Sequence, residues 1–262
     1  MKISVAPNTI SNLLFNQSIN TLSNTLSMKN ESLQSMKRLH LSGMASAYEG
    51  ILTLPLNQLP SGHEIVASLL DAEEQHRILL KTDMFMRLSK MRFRSTLKDI
   101  ECSESRNLKN ETLVFLSQDS YLQRNQNILI TGATGCGKSF LACAIGHQAC
   151  LLGYRTLYFN LNRLSEQIAL AKTDGSFIKW LNQIKKAHLI ILDDFGLQPI
   201  SQQVKLALLQ IIEDRYENAS TIFCSQLPVS KWHEYFEEPT IAAHLTRQNH
   251  SQSTSNRTQR KQ

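Results

Sequence analysis

The stretch Gly132-Ala133-Thr134-Gly135-Cys136-Gly137-Lys138-Ser139 constrains this chain more than any other, because it completes the spacing G-x-x-x-x-G-K-[ST] in a strand-to-helix setting. Ile128-Leu129-Ile130 reads as a strand entering the loop, and Phe140-Leu141-Ala142-Cys143-Ala144-Ile145 as the first turns of a helix leaving it. Gly132, Gly135 and Gly137 are expected to take positive φ values, so that backbone N–H groups approach phosphate oxygens at a helix N-terminus that adds partial positive charge. Lys138 is then placed to reach the β- and γ-phosphates of a nucleoside triphosphate. The Ser139 hydroxyl is a ligand for Mg²⁺, a hard cation that takes oxygen donors and keeps several waters. Ala133, Thr134, Cys136 and Phe140 complete the loop and first turn around the phosphates. The alternative, a tight glycine turn with no ligand, leaves the Lys-Ser pair in register unexplained.

Beyond the loop, strand and helix patterns alternate, which predicts a parallel sheet covered by helices. Strands are expected over 128–131, 155–160, 188–193 and 221–224, and helices over 138–152, 161–171, 175–186 and 202–217, with a short helix after Pro228. Upstream, Leu33, Met36, Leu39, Leu41, Met44, Ala47, Tyr48 and Leu52 fall at helical spacing. Pro55 and Pro60-Ser61-Gly62 interrupt that pattern, and a second helix is expected over about 63–91. The fold class is therefore α/β, preceded by a small all-α domain. Residues 1–27, rich in Asn, Ser and Thr, read as a disordered extension, and Met28 is a second candidate start.

No apolar run approaches the roughly 18 residues of a membrane-spanning helix, and no signal-peptide core forms near Met1. Five cysteines without a C-x-x-C pair argue against a disulfide framework and fit a reducing cytoplasm. The net charge of +6 is unevenly spread. Between Arg77 and Lys98, seven basic residues face one acid, Asp83, and after Glu238 four basic residues face none. Arg87, Lys90, Arg92 and Arg94 are the candidate nucleic-acid contacts in the first cluster. A solvated helix face is the competing account.

Leu189-Ile190-Ile191-Leu192-Asp193-Asp194 is an apolar run ending in two acids, the pattern of the strand beside a phosphate loop. Asp193 suits the hydration shell of Mg²⁺ and Asp194 the attacking water; the competing account is a pair that merely ends a buried strand. After the next strand, Ser225 and Gln226 are placed to sense a γ-phosphate or position water, or else to begin an ordinary turn. Asp214-Arg215 reads as a helix-surface ion pair or as a charge at a subunit contact.

The combination GATGCGKSFLACAIGHQAC, LIILDDFGL and STIFCSQLPVSKWHE resembles the IstB-like family of transposition helper ATPases, related to DnaC-type helicase loaders within the AAA+ group. Leu41-Ser42-Gly43-Met44-Ala45 with Tyr48-Glu49, and Leu69-Leu70-Asp71-Ala72-Glu73, are similar to the family's N-terminal helical domain. The resemblance implies a P-loop AAA+ three-layer core over 111–241, with a helical DNA- or partner-binding domain over 28–110. It further implies ATP and Mg²⁺ held by Lys138, Ser139, Asp193 and Asp194, and a homo-oligomer on duplex DNA with ATP between subunits. A cognate transposase would be the partner, helped in target choice and stimulated. Asp194 stands where many related ATPases carry Glu, a shorter arm expected to slow turnover. After Ile241 the chain departs from the family pattern, with Arg247 matching the arginine that reaches a neighbouring subunit only across a one-residue gap. Residues 242–262 read as a divergent polar, basic tail. A helicase loader on the same core is the alternative, followed by a small-molecule kinase and an inactive nucleotide-binding remnant.

Overall fold

The computed structural model describes residues 28–103, 107–197 and 199–232. The expectations for 1–27, for the 242–262 tail and for Arg247 lie outside the described residues. Two compact units divide after Leu80.

In the first unit, residues 28–38 form helix α1 and Ser42–Leu52 form α2. The helical spacing predicted across 33–52 is interrupted between them, where His40 adopts φ 58°. Helix α3 (Gly62–Ser89) runs across the division. It begins with a capping box in which the Ser61 N–H donates to Glu64 Oε2 at 2.7 Å and the Glu64 N–H to Ser61 Oγ at 3.4 Å. Buried Glu73 on α3 accepts from the N–H groups of Gly43 and Met44 at 2.9 and 3.2 Å, so a carboxylate caps α2. Arg77 Nε donates to its other oxygen at 2.9 Å, and this hydrogen bond holds the Glu73 pKa below its ordinary value. A Cβ at position 43 would lie 2.4 Å from the Ala72 carbonyl oxygen, so only glycine permits this approach. The small residues and the acid of the two N-terminal motifs thus meet at one helix crossing.

The second unit holds helices α4 (Asn110–Ser117) and α5 (Ser120–Gln123), then strand β1 (Ile128–Thr131) and α6 (Lys138–Leu151). Next come β2 (Thr156–Asn160), α7 (Leu161–Thr173), α8 (Phe177–Lys185) and β3 (Leu189–Phe195). Helix α9 (Gln202–Arg215) and β4 (Ser220–Ser225) follow. All strand pairs are parallel, in the order β1-β4-β3-β2. Strand β4 stands between β1 and the acid-bearing strand β3, which extends two residues further than predicted, through both acids.

From Leu189 to Leu192 strand β3 is apolar because both of its faces are covered. Leu189 and Ile191 face α4, α5 and α6, with Tyr121, Ala142 and Ile145. Ile190 and Leu192 face α7, α8 and α9, with Leu164, Ile168 and Leu208. The result is a three-layer α/β/α core. Helix α6 crosses the sheet closely, since a Cβ at Gly146 would lie 2.7 Å from Ile191 Cδ1. Trp232, fully buried, packs on Phe195 and Phe223 at ring distances of 4.7 and 5.6 Å and donates from Nε1 to the Leu227 carbonyl at 3.0 Å. It pins the turn after β4.

Arg215 departs from both expectations. It lies neither in a helix-surface ion pair nor at a surface, being 3% exposed. Its guanidinium donates to Ala187, Ser220, Ile184 and His188 carbonyls at 2.8, 2.6, 3.4 and 3.3 Å, and to Thr221 Oγ1 at 3.2 Å. Burial pulls its pKa down to about 10, far enough above neutrality for it to stay charged. It clamps the end of α9 to the starts of β3 and β4; Asp214 pairs instead with Lys185 at 3.1 Å. Arg215→Met is expected to cost at least about 2 kcal/mol in urea unfolding, because several buried carbonyls lose their donor together.

Candidate functional site

The loop after β1 is shaped by two left-handed glycines. Gly135 takes φ 77° and Gly137 φ 89°, the latter as the N-cap of α6 with no side-chain cap. Any other residue would be strained at both positions. Gly132 was expected to share that conformation and does not. A Cβ there would meet Cys136 Sγ at 2.9 Å, the end of an exposed side chain that can move aside. The Gly132 N–H donates to the Ser225 carbonyl at 3.2 Å, tying the loop's start to the end of β4.

Lys138 Nζ donates to the carbonyls of Gly132 and Ala133 at 2.9 and 2.7 Å. Both partners are neutral, so the ammonium charge is uncancelled by them and faces the turn whose N–H groups suit phosphate. Thr134 Oγ1 donates to Gln226 Oε1 at 2.7 Å, which brings the loop and the β4 terminus together. Ser225, fully buried, has its hydroxyl committed to backbone: it donates to the Phe195 carbonyl at 2.6 Å and accepts from the Leu227 N–H at 2.9 Å. Of the two polar residues expected to serve the site, Gln226 reaches the loop and Ser225 shapes the turn beneath it.

The acids are held from three elements. Asp193, 1% exposed, accepts at Oδ1 from Ser139 Oγ at 2.9 Å and from the Asp194 N–H at 3.0 Å. Its Oδ2 accepts from the Tyr158 hydroxyl of β2 at 2.6 Å. Burial, reinforced by that carboxylate, pushes the Tyr158 phenol far above its usual pKa, so it remains a donor. Asp194 adopts φ 58° and accepts at Oδ2 from Asn160 Nδ2 at 2.6 Å. Asn160 also caps α7, accepting the Asn162 N–H at 3.2 Å. Neither Tyr158 nor Asn160 was singled out from the sequence. The available signal was their parity: they alternate along β2 on the face shared with Leu189, Ile191 and Asp193 of the neighbouring strand.

A cavity of about 580 Å³ opens beside the loop, its wall including Asp99, Glu101, Thr112, Ile128, Lys138 and Leu141. Such a volume lies in the range of small-molecule and cofactor sites. Phe140 joins it from the first turn of α6; its ring packs on Phe93 at 5.9 Å and its carbonyl accepts from buried Ser95 at 2.9 Å.

The four basic candidates are all exposed. Arg87 pairs with Asp83 on α3 at 3.4 Å, and Arg92 lies over the Phe93 ring at 5.2 Å. All four belong to the unit that carries the sheet. Cys136 is exposed in the loop, whereas Cys143 and Cys150 are buried in α6, where burial raises their thiol pKa values. Among the described residues no cluster of three or more His, Cys, Asp or Glu side chains has the arrangement of a metal site. No described helix is long and apolar enough to cross a membrane.

Residues 34–262 match the family described as IstB-like ATP binding protein. That range runs past Ile241 to the last residue, so the match includes the tail that the motifs alone leave outside the resemblance. The protein named as the ATP-binding protein of insertion sequence IS1162, from Pseudomonas fluorescens, is 38% identical over 78% of this chain and 88% of its own length. The corresponding IS21 protein of Pseudomonas aeruginosa is 25% identical over 84% of each chain. Among solved structures, the DnaC helicase loader superposes with a TM-score of 0.52 at 17% identity, over 61% of this chain and 96% of its own. AMPPCP-bound DnaA from Aquifex aeolicus gives 0.53 at 20%, over 60% and 49%. These two likenesses are of fold, that of a P-loop AAA+ domain, while the family match spans every site residue from Gly132 to Gln226; the chain is a member of the IstB-like ATP-binding family.

Proposed function

We propose that this chain is a Mg²⁺-dependent ATPase that works on duplex DNA as the helper of an insertion-sequence transposase. The observation that carries the nucleotide half is the meeting of Ser139 and Asp193, 2.9 Å apart, beside Lys138 at the loop. The Ser139 hydroxyl would supply Mg²⁺ with a hard oxygen donor and Asp193 would hold the ion's bound water, the other ligands coming from water and substrate phosphate. The ion, when bound, offsets charge on the β- and γ-phosphates. Lys138 then holds those phosphates against the α6 N-terminus. Asp194, oriented by Asn160, is assigned to the attacking water, and Gln226, bonded to Thr134, to reading the γ-phosphate position. Ser225 supports Gln226 through the turn. The cavity lined by Ile128 and Leu141 would take the base and ribose.

The DNA half rests on exposed Arg87, Lys90, Arg92 and Arg94, a run able to replace counterions along a phosphate backbone. The relatives' names place their genes in insertion sequences, which supports a cognate transposase as partner, with target selection and transposase stimulation as the task. On this reading the protein assembles on DNA as a homo-oligomer with ATP between subunits. The helical domain over 28–110 serves DNA or the transposase, the core over 111–241 serves ATP, and the site of action is the cytoplasm.

ATP turnover measured with and without duplex DNA, for the wild type and for Lys138→Ala, tests the reading. Duplex DNA is expected to raise the wild-type rate, and Lys138→Ala to lower it by about 100-fold, the scale for losing a main electrostatic donor. Equal rates in all conditions would remove the enzyme. Replacing Arg87, Lys90, Arg92 and Arg94 by Ala is expected to flatten the dependence of log affinity for DNA on log salt, by about 0.9 for each phosphate no longer neutralised. An unchanged slope would leave the run as a solvated surface.

A further inference from the structure

Tyr158 has a hydroxyl whose position packing alone does not explain. Its ring belongs to the sheet face beneath α6, among Ile145, Leu189 and Ile191, and a phenylalanine would fill that space equally well. The hydroxyl instead crosses from β2 to β3. Tyr158 stands opposite Ile191 in the parallel register, which makes Asp193 its diagonal neighbour on the same face, and the two meet at 2.6 Å. Asp193 is thereby gripped at both oxygens: Oδ2 by Tyr158, Oδ1 by Ser139 and the Asp194 N–H.

We propose that Tyr158 is a positioning residue for the metal-side carboxylate, fixing the Asp193 side chain so that Oδ1 is the oxygen presented at Ser139. The proposal rests on the Mg²⁺–ATP reading of the site. A carboxylate held only by donors on one oxygen retains rotation about its last bond. A second donor on the other oxygen removes that freedom before any ligand arrives. Partners that orient the groups around a bound metal commonly set affinity by about 10- to 100-fold. Ser139, on α6, changes its relation to the sheet if the helix shifts; Tyr158 belongs to the strand paired with β3 and holds Asp193 within the sheet itself.

The test uses Tyr158→Phe, which keeps the ring and removes the hydroxyl, and reads equilibrium binding of a fluorescent ATP analogue without metal and across a Mg²⁺ titration. Affinity without metal is expected to be unchanged within about twofold, while the gain conferred by Mg²⁺ falls by about 10-fold or more. In an Asp193→Asn background the same substitution is expected to add nothing, because Tyr158 acts only through that carboxylate. An undiminished Mg²⁺ gain in Tyr158→Phe overturns the proposal. So does an equal loss with and without metal, or an additive loss on Asp193→Asn. If nucleotide affinity of the wild type ignores Mg²⁺, the metal reading itself falls, an outcome distinct from a wild-type Mg²⁺ gain that survives Tyr158→Phe.

Discussion

A carboxylate buried to 1% exposure at the end of an apolar strand is costly unless donors meet it, and Asp193 is the point on which this site depends. Its donors come from α6, from β2 and from its own strand's next residue. Ser139 can reach it because α6 lies close on the sheet, an approach that Gly146, Ala142 and Ala149 permit on the side of that helix turned to the strands. The packing of the α6 layer and the geometry of the phosphate loop are therefore one requirement. A bulkier α6 would move Ser139 and Lys138 together, away from the acids.

A similar economy operates on the far side of the loop. Strand β4 separates β1 from β3, and its end is used three times: the Ser225 carbonyl receives the loop's first N–H, the Ser225 hydroxyl braces the backbone, and Gln226 receives Thr134. Trp232 fixes the turn that follows by filling the space against Phe195 and Phe223. The stretch from Ser220 to Trp232, conspicuous as a motif, is thus built around a turn held from beneath by an aromatic residue. At the opposite ends of the strands, Arg215 supplies donors to several carbonyls at once. The strand ends bearing Asp193 and Ser225 form the site, and the ends near Leu189 and Ser220 are clamped for stability.

Legibility in the sequence followed the range of the interaction. The phosphate loop, its flanking strand and helix, and the apolar run ending in Asp193-Asp194 depend on neighbours along the chain, and each was readable from residue type and spacing. Strand order was not, because pairing β1 with β4 joins residues far apart in the chain and leaves no local trace. Arg215 escapes such a reading for a related reason. A charged residue near a helix end is ordinarily solvated, and only the convergence of carbonyls from the end of α8, the turn before β3 and the start of β4 makes burial tolerable.

What the sequence determined by itself was a set of chemical capacities: left-handed turns at Gly135 and Gly137, an ammonium and a hydroxyl at the loop, two acids at a strand's end, and a basic run near Arg92. Tertiary structure decided which of these meet. It moved Ser225 out of the reactive surface by committing its hydroxyl to backbone, left Gln226 at the loop, and recruited Tyr158 and Asn160 from a strand whose sequence looks merely alternating. The physical reason is that backbone conformation and helix dipoles are set by nearest neighbours. Partners for a buried carboxylate are supplied by whichever strand and helix the packing of the core brings alongside it.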